Sequence, residues 1–306
     1  MADSSQTTSP EDIRQSIISA PARRRPTRLQ YVLYYLGHKP LGTIGFAIVV
    51  TMVVIAIFAP FIAPYAYQEQ NYDAVKHAPN LDFLFGTDQL GRDVFSRVVH
   101  GARISMMVGF LAVIVGTGAG AFVGLLSGYF MGKLDAIVQR VVDMWMSFPD
   151  LILALTIVAV FGNTVPNVIL AIAATILPRG VRIIRSITIS IREMDYTLAA
   201  RATGATNLRI MLRHVMPNTM APFLIIMSSM FGTAILTEAG LSFLGLGISE
   251  PTPSWGRMLT GQAAQHMASS PWILIFPGFF ITVTVMGFAF AGDALRDIYD
   301  PKQRGR

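Results

Sequence analysis

Three carboxylates lie inside stretches of this chain that are otherwise apolar: Asp143 and Asp150 in one, Glu238 in another. A carboxylate in hydrocarbon is costly, which leaves three chemistries for it: relaying protons, meeting a polar solute in a pore, or closing an ion pair. Asp143 falls towards the cytosolic side of its stretch and Asp150 near the middle, beside Pro149. Glu238 falls towards the outer end of its own stretch, and Asp293 at the cytosolic end of the last one. An ion pair or a water-facing contact suits these positions better than a proton relay. Glu238 and Asp150 are the residues expected to line a translocation path.

Covalent chemistry finds no footing in the sequence. A phosphate-cradling loop needs Gly-x-x-x-x-Gly-Lys-Ser/Thr, which is missing, and the richest glycine run, GTGAGAFVG, misses the dinucleotide pattern as well. His38, His77, His100, His214 and His266 are scattered without metal-ligand spacing, and no serine stands in a nucleophile elbow. With 0 cysteines, disulfides and thiolate sites are excluded. No catalytic and no metal-binding residue is expected, so the chain is read as a non-enzyme.

A second kind of chemistry, recognition, is suggested by residues 196–218, YTLAARATGATNLRIMLRHVMPN. Asp195 and Gly204 can bound a short helix whose Ala199, Ala200 and Gly204 present a low-relief surface. Arg201, Arg209 and Arg213 add donors for carboxylates and carbonyls. Thr206 or Asn207 can cap a second helix, and Pro217 kinks or starts the apolar run that follows. Taken alone, these residues fit either a docking surface or a plain connector.

The elements that carry these residues belong to a membrane. Hydrophobic residues make up 53% of the 306 and charged residues 14%, well below the charge content of soluble domains. Six apolar segments, at about 41–63, 104–129, 135–161, 165–186, 214–245 and 271–293, approach or exceed the roughly 20 residues that cross a bilayer. With the N-terminus inside, only Lys76, Arg92, Arg97, Arg103 and Arg257 of the 24 basic residues fall on the outer side. The positive-inside rule therefore puts both termini and the 196–218 loop in the cytosol. The net charge of +6 is then cytoplasmic-loop arginine and does not imply nucleic acid.

The organisation that follows has a cytosolic tail and interfacial helix over 1–40, then a first transmembrane helix at 41–63 and an extracytoplasmic loop at 64–103. A five-helix core over 104–293 contains a cytosolic loop at 187–213 and an extracytoplasmic loop at 246–270, and 294–306 is a cytosolic tail. Pro251, Pro253 and Trp255 are expected to stiffen the second outer loop. Gly120, Gly124 and Gly128, four apart, place small residues on one helix face for close packing.

The loop AARATGATNLRIMLRHVMPN resembles the EAA loop of ABC importer permeases, with Ala199, Ala200, Gly204 and Pro217 in register and Leu198 where the motif has glutamate. Residues 85–105, 241–259 and 292–302 resemble the peptide/nickel branch, in particular the "C" subunit of dipeptide and oligopeptide permeases. The resemblance implies an all-α, six-helix type I importer permease in the bacterial inner membrane. It implies ATPase coupling through Tyr196, Leu198, Ala199, Ala200, Arg201, Gly204, Ala205, Arg209 and Pro217. It also implies a homologous second permease, two cytosolic ATPase subunits holding ATP and magnesium, and an extracytoplasmic peptide-binding protein. This chain itself would bind lipid but no cofactor and no nucleic acid. Di- or oligopeptides are the expected cargo, with nickel or glutathione as alternatives; outside the family, a proton-coupled secondary transporter and a structural subunit of a membrane complex are the competing readings.

Overall fold

The computed structural model describes residues 40–260 and 268–299. The interfacial helix expected before residue 40, the cytosolic tail beyond 299 and part of the second outer loop lie outside the described residues. The chain runs through helices α1 (Pro40–Ile62), α2 (Val94–Phe130), α3 (Gly132–Met146), α4 (Asp150–Phe161), α5 (Val165–Arg192), α6 (Asp195–Ala202) and α7 (Asn207–Ile210). A π-helical turn, Met211–Val215, then leads into α8 (Met216–Phe243), which is followed by α9 (Trp255–Met258) and α10 (Trp272–Tyr299). Among the described residues the extended structure amounts to one isolated bridge, Thr87 to Asp93.

Five of these helices are long and apolar enough to cross a membrane, and the bent pair α3–α4 makes a sixth where its two halves are counted as one broken span. That pair departs from the single segment expected over 135–161. Its two halves meet at 89°. The break lies at Ser147, Phe148 and Pro149: proline removes an N–H and its ring pushes the preceding residue out of the helical region. The 12 residues of α4 reach only about 18 Å, less than a bilayer core. α2 also departs from expectation, starting at Val94 with the side chain of Asp93 capping Ser96 N–H, so its 37 residues stand well clear of the hydrocarbon on the outer side.

The centre of the fold is the pairing of α2 with α5. Gly116, Gly120, Gly124 and Gly128 line one face of α2. A Cβ placed on them would lie 2.6 Å from Ala173 O, 2.6 Å from Leu177 O, 2.5 Å from Val181 O and 2.7 Å from Arg185 O respectively. The four-residue step is the same on both helices, so the two backbones touch along about three turns. Val108, Ala112, Ile172 and Ile176 continue this contact into a core shared with Phe231, Ala234 and Leu241 of α8. α1 joins through α10 in the same way, since a Cβ on Gly45 would stand 2.5 Å from Phe290 Cβ.

The outer segment between α1 and α2 is laced to the helices on both sides. Phe85 stacks on Phe276 with ring centroids 3.8 Å apart, and Trp272 Nε1 donates to Thr87 O at 3.1 Å. Arg97 Nη1 donates to Tyr67 O at 3.0 Å, while Asp88 holds Arg92 at 2.6 Å. Gly118 points away from the α2–α5 contact, and a Cβ there meets nothing within 4 Å. Gly120→Val should therefore lower the detergent-solubilised subunit's stability by at least about 1–3 kcal/mol, whereas Gly118→Ala should leave it unchanged or slightly raised; thermal unfolding of the two variants side by side checks this.

Candidate functional site

The segment between α5 and α8 is a helix, a tight reversal and a second helix. α6 opens at Asp195, which lies in its first turn where a negative charge suits the helix dipole; the cap position itself is Met194. Gly204, with φ +83°, closes the helix. Gly204 N–H donates to Arg201 O at 3.0 Å and Ala205 N–H to Ala200 O at 3.1 Å. This reciprocal pair is the Schellman arrangement, and Ala200 and Ala205, the residues it brings together, both pack on the Leu125, Ile184 and Ile210 cluster. The Thr206 side chain then accepts from Arg209 N–H and caps α7.

Pro217 comes just after the π-turn. Lacking an N–H, it cannot bond the carbonyl four residues back, and the helix widens so that Met216 N–H reaches Met211 O instead. α7, the π-turn and α8 thus form one continuous 37-residue element, Asn207–Phe243, that runs from the loop across the membrane.

Two contacts fasten the loop to the bundle. Thr197 is fully buried and its hydroxyl donates to Ile191 O at 2.9 Å; Tyr129 at the end of α2 donates its hydroxyl to Asn207 Oδ1 at 3.1 Å. What remains outward is a surface of mixed character. Tyr196, Leu198, Leu208, Leu212 and Met216 are exposed apolar side chains, and Ala199, Arg201, Gly204 and Arg209 are exposed among them. A Cβ on Gly204 would meet nothing within 4 Å among the described residues. Leu198 presents an apolar side chain, 46% exposed, where the EAA motif has an acid.

Just above this loop, α5 carries arginines at every third position, and each meets an acid from α3 or α4. Arg179 reaches Asp150 at 2.6 Å and Arg182 reaches Asp143 at 2.5 Å. Arg185 grips Asp135 with two bonds, Nε to Oδ1 at 2.6 Å and Nη2 to Oδ2 at 2.5 Å, and Ser127 of α2 donates to the same carboxylate. Asp150, expected near the middle of a straight span, stands at the start of α4 just after the bend, with its partner 29 residues on.

Glu238 is placed inside the subunit and not on an open face. It is fully buried, with Oε2 accepting from Ser105 at 3.0 Å and Oε1 from Ser242 at 2.8 Å. Ser105 Oγ in turn accepts from Trp255 N–H at 3.2 Å, and Ser242 lies 3.3 Å from Ser254. The Trp255 ring is fully buried and its Nε1 donates to Val98 O at 2.9 Å. The carboxylate is therefore the hub that ties the second outer loop, through α9, onto α2 and α8. Buried polar groups are strongly stabilising only when all are satisfied, and here α2, α8 and the outer loop supply the donors from three directions. Among the described residues no cluster of three or more His, Asp or Glu side chains is placed to hold a metal ion.

The sequence profile of binding-protein-dependent transport system inner membrane components matches residues 120–305, which include the whole loop and the arginine ladder. The chain belongs to this family. A second profile, the N-terminal transmembrane domain of oligopeptide transport permease C, matches residues 27–79. The dipeptide transport system permease protein of Alkalihalophilus pseudofirmus is 42% identical over 272 residues, 88% of each chain. The glutathione transport system permease proteins of Escherichia coli and Shigella sonnei are each 41% identical over 258 residues, covering 84% of this chain and 85% of theirs. This permease is an ABC importer subunit of the oligopeptide permease C type, a multi-pass protein of the bacterial inner membrane.

Several working residues of the permease escape a reading of the sequence. Thr197 looks like any polar loop residue, and Ser105, Ser254 and Trp255 give no sign that they join one hydrogen-bond network around a carboxylate. The spacing of Arg179, Arg182 and Arg185 was a visible signal for one helix face; the partners, 29 to 50 residues away, were not. Glu238→Ala would leave the Ser105 and Ser242 hydroxyls without their acceptor in a dry site. It should cost about 1–3 kcal/mol of stability in detergent, with Glu238→Gln costing less because one acceptor oxygen remains; thermal melts of both variants test the hub.

Proposed function

We propose that the permease forms one half of the pore of an ATP-driven importer of di- or oligopeptides, and that ATPase subunits drive it through α6 and the reversal at Gly204. The observation that carries the coupling assignment is the exposed surface of that segment: small residues, arginines and apolar side chains face outward on a helix whose C-terminal end is closed by the reversal at Gly204. Such a patch on a cytosolic loop suits a protein partner, and its family-like pattern points to the ATPase. The other parts of the assembly, a second homologous permease subunit, a pair of ATPases that hold the ATP and magnesium, and an extracytoplasmic binding protein, follow from the same reading.

The mechanism rests on stiffness. ATP binding closes the ATPase pair and displaces α6. Thr197 and the Tyr129–Asn207 bond carry that displacement into α5 and α2, and the unbroken run from α7 through α8 carries it across the membrane. The pore changes from inward- to outward-facing, the binding protein delivers its cargo, and hydrolysis restores the first state. Ala199 and Gly204 offer shape to the partner, with Ala200 and Ala205 packed beneath them to hold the turn; Arg201 and Arg209 offer charge; Tyr196 and Leu198 complete the patch, and Pro217 shapes the helix behind it.

Peptide cargo is favoured by the likeness to a dipeptide permease, and glutathione, itself a peptide, by the likeness to glutathione permeases. A proton-coupled mechanism is less well supported, since Asp143 and Asp150 are each held by an arginine and Glu238 by hydroxyls. Gly204→Asp should abolish ATP-driven dipeptide uptake in membrane vesicles while the amount of inserted subunit stays the same. Undiminished uptake would refute the coupling role, and uptake that survives ATP depletion but collapses with an uncoupler would refute the ATP-driven reading.

A further inference from the structure

A groove runs between α1 and α2 in the outer half of the bundle. Its walls are one face of each helix: Val53, Ala56 and Ile57 on α1, and Met106, Met107 and Phe110 on α2. Steps of three and four residues bring these side chains to a common side of their helix. Ala56 is small and buried, so the cleft deepens between its larger neighbours. The groove encloses about 410 Å³, the size of a small-molecule site. α1 ends on the outer side at Ile62, so Ile57 and Val53 lie roughly 8 Å and 14 Å below that end. Half of a hydrocarbon core is roughly 15 Å deep, which places the groove in the outer leaflet.

Arg103 is the only polar side chain among the described residues that line this groove. It stands one turn above Met106 and Met107 on the same face of α2, at the end nearer the outer surface. The two outer arginines before it are engaged. Arg92 and Arg97 both face Asp88, at 2.6 Å and 3.7 Å, and Arg97 also donates to Tyr67 O. Arg103 has neither a hydrogen bond nor an ion pair among the described residues, and it is exposed. No carboxylate lines the groove with it. A lone guanidinium at the mouth of an apolar groove calls for an anion that carries a long apolar tail.

We propose that the groove is a binding site for an anionic phospholipid of the outer leaflet, with an acyl chain between α1 and α2 and the phosphate on Arg103. The guanidinium fork matches two phosphate oxygens at once. A headgroup with its own cation, such as choline, finds no acid here to meet it, so a headgroup without one, such as glycerol, is preferred. Met106 and Met107 are unbranched and adapt to the shape of a chain. An apolar helix of another protein would fill the groove equally well but would leave Arg103 without an anion, and this charge decides for lipid. The site does not depend on which solute the permease carries.

The chain contains no cysteine, so single cysteines can be introduced without removing any. Val54→Cys, one turn from Ile57 at the edge of the groove, and Phe279→Cys on α10 are each labelled with bimane in the full-length chain in phosphatidylcholine vesicles. Both positions are exposed. Phe279 lies roughly 10 Å along α10 from Trp272, so it reports on the same leaflet away from the groove. Phosphatidylglycerol or phosphatidylcholine with the same brominated chains is then added as a contact quencher. At Val54, half-quenching should need about fivefold less phosphatidylglycerol than phosphatidylcholine, because only the first offers its phosphate without a competing cation. At Phe279 the two lipids should quench alike. Arg103→Ala and Arg103→Gln should each abolish the difference at Val54, and Arg103→Lys should keep part of it, since a point charge lacks the fork. Ala56→Trp, which fills the groove, should weaken quenching by both lipids at Val54 and leave Phe279 unchanged. Equal quenching at Val54, an equal preference at both labels, or a preference that survives both Arg103→Ala and Arg103→Gln would overturn the phosphate contact. A Val54 label that neither lipid quenches would mean that protein covers the groove, and would overturn the site.

Discussion

The close approach of α2 and α5 is the contact on which the other elements rely. Four glycines spaced by four residues let one backbone lie on the carbonyls of another, and any side chain there would force the helices apart. In a membrane the hydrophobic effect does not draw helices together, so dispersion over a tightly fitted surface has to supply the attraction. The same fit fixes rotation. With the Gly116–Gly128 face of α2 turned to α5, the end of α2 presents Ser127 to Asp135 of α3 and Tyr129 to the cytosolic loop, and its start presents Val98 and Ser105 towards the outer loop.

Polar fastenings at the two ends follow from that pairing and differ in character. On the outside the fastening is dry: Glu238 and its serines are buried, and they hold Trp255 and the second outer loop against α2 and α8. On the inside it is graded. Asp135 and Arg185 are the most buried of the three ion pairs, while the pairs at Asp143 and Asp150 are half open. A dry, satisfied hub suits a part that stays put; open ion pairs can change partners at little cost, because solvent screens them and can take their place. The loop that reverses at Gly204 hangs from the graded end, through Thr197 and Asn207.

Sequence reading went far in this permease where a local rule controls the outcome. The glycine repeat announced a packing face because any helix brings residues four apart to the same side. Gly204 announced a helix end because few other residues enter the left-handed region cheaply, and Thr206 or Asn207 announced the start of the next helix, with Thr206 taking the cap position. The reading fell short where local and distant forces compete. Pro149 could have kinked a span gently, yet it stands at an 89° break, with Arg179 and Arg182 holding the acids that flank it. Glu238 is fully buried, and of the two serines that bond it Ser242 is one turn along its own helix while Ser105 comes from 133 residues before it, a partner that its apolar sequence neighbours do not announce.

By itself the sequence determined the class of this protein: apolar segments long enough to cross a bilayer, an asymmetry of arginine and lysine that orients them, and a loop of small and basic residues between two of them. Each of these depends on composition or on short-range spacing, and those are written along the chain. The tertiary structure alone decided which charges meet and which faces stay open. Whether Asp150 is a relay, an ion-pair partner or a pore contact depends on what stands opposite it, and that is set by how α2 and α5 pack, far away in sequence.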